Sequence, residues 1–239
     1  MATYVLVHGA WGGSWQFGRV AKRLRGAGHD VFTPTLTGQG DRAHLFSPEV
    51  GLDTHVRDVA AMLEYEDLSE VVLVAHSYGG MVATAAAEQA PGRLAQIVYI
   101  DAFVPTDGQS TLELFPPKFQ ELFRARARDH DGLRIPGGDF ILDIWGVTDP
   151  AQREWVGART APFPIRCWEQ PAKLPANAAA GLRRSFVDCT ASLSEIFGPF
   201  AERARIEGWG YQQLASSHVA WLTHPETLAE IVLRLSESS

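Results

Sequence analysis

Cysteine is scarce in this chain: Cys167 and Cys189 are the only two among 239 residues. Their separation fits no metal-ligand spacing, so two buried free thiols are expected, not a disulfide framework or a metal site. Long apolar runs are also missing. None approaches the roughly 20 residues that a membrane span requires, and the first residues enter an apolar stretch without a basic, signal-type leader. A cytoplasmic protein with no membrane partner is the expectation. Positive charge is in deficit, with 21 Lys and Arg against 28 Asp and Glu and a net charge of −7. The densest basic group, Arg124, Arg126 and Arg128, is followed at once by Asp129 and Asp131. That pattern reads as a solvated helix face, and nucleic acid is not an expected partner. There are no internal repeats and no low-complexity tracts.

What is present is ordinary globular composition, 46% hydrophobic and 21% charged, enough for a large core. A chain of this length suits a single α/β domain spanning 1–239. Strands are predicted at 3–8, 29–34, 70–76, 94–101, 184–189 and 208–214, and helices at 14–26, 54–67, 80–90, 195–207 and 225–236. Gly26 and Gly28 mark the end of the first helix, Asp53 is a plausible N-cap, and Pro225 suits a first turn. Such alternation implies a mostly parallel, twisted sheet with helices on both faces, its strand ends gathered along one edge. Residues 105–182 break the rhythm. They hold nine of the 14 prolines and three of the seven tryptophans, and read as a cap inserted over the active edge.

Residues 71–80, Val-Val-Leu-Val-Ala-His-Ser-Tyr-Gly-Gly, carry the most chemistry. A short, β-branched apolar run suits a strand buried on both faces. It ends on Ser77, and Gly79 and Gly80 open a helical run. A serine at so tight a strand-to-helix turn is a nucleophile elbow, G-x-S-x-G, with Ala75 replacing the first glycine. His76 would point away from the nucleophile, because neighbouring residues leave a strand on opposite sides. A second buried-strand run, Tyr4 to Val7, leads into His8-Gly9-Ala10-Trp11-Gly12-Gly13. The Ala10 amide there and the Tyr78 amide at the elbow would form an oxyanion hole. His8 is expected to hydrogen-bond the loop backbone. His218, just after the last strand, is placed to be the general base; His224, before Pro225 at a helix start, is explained by capping.

The segments Val7–Trp11, Pro34–Gly38, Leu52–Val56, His76–Gly80 and Asp101–Pro105 resemble the α/β-hydrolase superfamily. They are most similar to small esterases of the salicylate methylesterase and hydroxynitrile lyase-like group, and to bacterial esterases of carbamate-type aromatic xenobiotics, carbendazim-hydrolysing ones among them. The resemblance implies an α/β-hydrolase fold, no cofactor and no metal. It also implies a triad acid shortly after the penultimate strand, but Thr190 to Ser194 contain no aspartate. Asp101, at the end of the strand after the nucleophile's helix, is preferred, since some α/β-hydrolases draw the acid from that strand. Glu195 is the alternative, and Asp188 lies too early.

The expected function is a cofactor-free serine hydrolase cleaving a small, apolar ester or carbamate through an acyl-enzyme on Ser77. Trp11, Phe103, Trp145 and Trp221 are candidate substrate-pocket walls, with the Tyr78 phenol as a further one, and suggest an aromatic substrate. Asp41, Arg42 and His44 read as a surface salt-bridge group. Hydroxynitrile lyase activity is disfavoured, because the resemblance would require lysine and threonine where this chain has Val219 and Gly9. A hydrolase-fold receptor remains the other alternative. The oligomeric state is open, a homodimer being common among relatives.

Overall fold

The computed structural model describes residues 1–237. Six strands, β1 (Thr3–Val7), β2 (Asp30–Phe32), β3 (Val71–His76), β4 (Leu94–Ile100), β7 (Arg183–Cys189) and β8 (Gly210–Leu214), form one parallel sheet in the order β2-β1-β3-β4-β7-β8. Between β4 and β7 a two-residue antiparallel pair is made by β5 (Arg134–Ile135) and β6 (Phe163–Pro164). The long helices are α1 (Gly18–Gly26), α2 (Leu52–Tyr65), α3 (Gly79–Gln89), α9 (Ser194–Ile206) and α11 (Pro225–Glu237), and they cover both sheet faces. α4 (Thr111–Leu114), α5 (Pro117–His130), α6 (Asp139–Ile144), α7 (Pro150–Gly157) and α8 (Arg166–Glu169) lie in the 105–182 insertion, and α10 (Ala220–Thr223) precedes α11.

The core follows from the pattern of side chains. Every residue of β3 is buried, as expected for a central strand covered on both faces. α3 is buried from Gly79 through Ala87, so its glycines and alanines let it lie close against the sheet and α2. The chain steps from β1 outward to β2 and then back across β1 to β3. The crevice beyond the carboxyl ends of β1 and β3 is thus the switch point where parallel sheets hold ligands.

Local expectations differ from the structure at a few places. The first helix begins as a 3₁₀ turn over Ser14–Phe17. Gly51 caps α2, and Asp53 is its second residue, where its carboxylate pairs with Lys173 at 2.5 Å. Arg42 pairs with Asp58 on α2 at 3.5 Å, and not with Asp41. Cys167 and Cys189 are both buried and free. Among the described residues no helix is long and apolar enough to cross a membrane.

Candidate active site

Ser77 follows the last residue of β3 and has φ of 55°, a left-handed conformation that costs a non-glycine residue energy and persists only where its surroundings enforce it. Three backbone bonds do so. The Ser77 amide donates to Ile100 O at 3.2 Å, and its carbonyl accepts from Gly80 and Phe103 at 3.0 and 3.2 Å. The turn also needs Gly80: a Cβ there would stand 2.1 Å from Phe103 O. Since that neighbour is backbone, Gly80→Ala is expected to destabilise the fold by about 1–3 kcal/mol. Urea unfolding checks this, and an unchanged midpoint would contradict it.

Asp101 directly follows β4 with a second left-handed backbone, φ 42°. Its Oδ2 accepts two short bonds, from His218 Nδ1 at 2.6 Å and from the Ser192 hydroxyl at 2.5 Å. Ser192 stands in the turn after β7 and His218 in the loop after β8, so the constellation spans the edge of the sheet. Glu195 is elsewhere: it is 45% exposed and bound to Lys118 at 2.6 Å. His224 is also remote from this cluster, its Nδ1 against Thr223 Oγ1.

His218 and Asp101 are almost wholly buried, at 3% and 1% exposure. Burial disfavours charge on the imidazole, lowering its pKa, so the ring is neutral at rest, its Nδ1–H donated to Asp101 and a lone pair left on Nε2. Burial raises the Asp101 carboxyl, and the bond from Ser192 opposes that shift by favouring the ionised form. The ring of Phe197 stacks on His218 at 4.7 Å and 10°, which fixes the imidazole plane.

Ser77 and His218 line one cavity of about 340 Å³ of empty space, mouth included, and neither Ser77 Oγ nor His218 Nε2 is bonded to another described group. Its walls are Trp11, Phe103, Phe115, Phe123, Trp145, Trp168 and Phe197, with Ile144, Leu193 and Ile196. Trp11 and Phe103 come from the loops after β1 and β4, and Trp145 from the insertion. Phe115, Phe123, Trp168 and Phe197 carry no signal in the sequence that marks them as walls.

Two expected walls lie off the cavity. Trp221 is 1% exposed and packs edge-on against Trp15, Trp145 and His76. It is the second residue of a short buried helix, α10, whose register turns the indole into the core. The Tyr78 phenol also points away, bonding His55 Nδ1 at 3.0 Å, while His55 Nε2 donates to Thr37 O. The backbone amides of Ala10 and Tyr78 have no partner among the described residues, a state that buried N–H groups adopt only where a ligand or water completes them. His8 ties its own loop to the segment after β2: Nδ1 donates to Gly9 O at 2.7 Å and Nε2 accepts from the Leu36 amide at 3.0 Å.

Comparison with known proteins agrees with this fold. The chain is 38% identical over 240 residues to a carbendazim hydrolyzing esterase of Nocardioides sp. (strain SG-4G), covering 96% of this chain and 98% of that one. It is 34% identical over 160 residues to Methylesterase 9 of Arabidopsis thaliana, 66% of this chain and 58% of the other. An extracellular alpha/beta-hydrolase from a Paenibacillus species shares the fold with a TM-score of 0.90 at 24% identity, over 100% of both chains. With residues 4–231 matching its family model, the chain belongs to the alpha/beta hydrolase family.

Proposed function

We propose that the protein is a cofactor-free serine esterase acting on small, uncharged, aromatic esters or carbamates. The observation that carries this reading is His218, held through Nδ1 by Asp101, on the same aromatic-walled cavity as Ser77. His218 Nε2 takes the Ser77 proton as Oγ attacks the carbonyl carbon, and the amides of Ala10 and Tyr78 receive the oxyanion. The tetrahedral adduct collapses, and the leaving alcohol takes the proton from His218. Water, deprotonated by the same nitrogen, then attacks the acyl-serine; Ser77 leaves and recovers its proton as the acid departs. Nucleophile, base, acid and oxyanion donors all come from side chains and backbone of this chain, so the reaction calls for no cofactor.

Residues 105–182 act as the cap, since Phe115, Phe123, Trp145 and Trp168 all wall the cavity from that segment. No charged side chain lines the cavity, which favours an uncharged substrate over an anionic one. The relative named for carbendazim hydrolysis, similar over nearly its full length, supports including carbamates. A net charge of −7 and two buried free thiols suit a cytoplasmic enzyme whose partner is a small molecule.

The lyase alternative loses ground at Gly9, where a Cβ would stand 3.0 Å from Ser77 Cβ and His76 Nδ1, so a threonine there would crowd both side chains. Esterase and receptor are separated by turnover. Purified protein should liberate p-nitrophenol from short acyl esters, and a fluorophosphonate should attach covalently to Ser77, with Ser77→Ala losing both. No turnover of any aryl or alkyl ester would sink the reading in favour of a receptor.

A further inference from the structure

One buried titratable group at the site takes no part in this chemistry. His76 is the last residue of β3, immediately before Ser77, and 1% exposed. Its Nε2 donates to the backbone carbonyl of His218 at 2.8 Å. The two imidazoles are 4.5 Å apart between ring centres, inclined at 38°. Its Nδ1 is buried without a partner and faces Gly9, where a Cβ would sit 3.0 Å away. Sequence alternation turns His76 away from the nucleophile, as expected, but turns it toward the loop that carries the base. A buried ring with one nitrogen left unsatisfied is costly, and the bond it does make goes to the main chain of His218.

We propose that His76 is a positioning residue for His218: by tying the base's backbone to the strand that ends in the nucleophile, it sets the separation of Ser77 Oγ and His218 Nε2. This rests on the reading of His218 as base. Asp101 fixes the ring through Nδ1 and Phe197 fixes its plane, yet neither holds the His218 main chain. The His76 bond supplies that third restraint, and it does so from the residue adjacent to Ser77.

His76→Gln and His76→Met, of similar size but with and without an N–H donor, test it. His76→Met is expected to lower kcat for p-nitrophenyl esters by about 10- to 100-fold with KM little changed, the scale of a small misplacement of reacting groups. His76→Gln is expected to stay within about threefold of the parent. In proton NMR the downfield Nδ1 proton of His218 should shift or broaden in His76→Met and return in His76→Gln. The two variants behaving alike in kcat and in that resonance would overturn the proposal. A parent protein without esterase turnover would instead sink the functional reading, and the resonance comparison would still decide the role of His76.

Discussion

Asp101→Asn is expected to lower kcat by about four orders of magnitude, whereas Glu195→Gln leaves it within about twofold. Asparagine is nearly isosteric, but its amide can present a donor where the carboxylate accepts. The imidazole then turns to the tautomer with the proton on Nε2, which is no longer a base. Stability should not fall with activity, because the substitution removes a charge that burial disfavours, and Ser192 can donate to the remaining carbonyl oxygen. Equal melting temperatures with divergent kcat would establish the role of Asp101. Near-parental turnover in Asp101→Asn, with loss in Glu195→Gln, would return that role to Glu195 despite its ion pair with Lys118.

The fold itself should fail in mild acid. Burial holds His8 and His55 down to about 4 and His76 down to about 3. All three are fully buried, and protonation would cost His8 the bond it accepts from Leu36 and His55 the bond from Tyr78. Because the folded values lie below the ordinary 6.5, the unfolded chain binds protons first. Their stability is therefore intact above pH 6.5 and is lost as pH falls toward 4, at about 1.4 kcal/mol per unit for each ring. At pH 5 the three together remove about 6 kcal/mol, a large part of a typical domain's total. Urea denaturation at pH 7.5 and pH 5 measures the loss, and coincident midpoints would refute it.

The parallel sheet is legible in the sequence because its strands obey a simple rule: short β-branched runs such as Val71–Val74 and Ile97–Ile100 are long enough only for strands. Ser77, Asp101 and His218 are legible because topology puts successive strand ends on one edge. The helices of the insertion are harder to see, although their starts are written in the chain. Ser110 and Glu113 form a reciprocal cap on α4, and Asp149 caps α7 ahead of Pro150. Proline abundance suggests irregular chain, where two of those prolines, Pro117 and Pro150, in fact begin helices. Ser192 cannot be read at all: nothing local distinguishes a serine in a turn from one that reaches a carboxylate 91 residues away in sequence. Trp221 misleads because an indole's composition does not reveal which face of a four-residue helix it occupies.

The absence of lysine and arginine from the cavity walls has a bearing on product release. An ester of the proposed class would enter electrically neutral, but the acid set free from it ionises at physiological pH. That anion would find only rings and aliphatic groups around it, and water solvates it far better. Hydrolysis thereby turns a well-accommodated guest into an unwelcome one, and its escape runs downhill without a moving part to drive it.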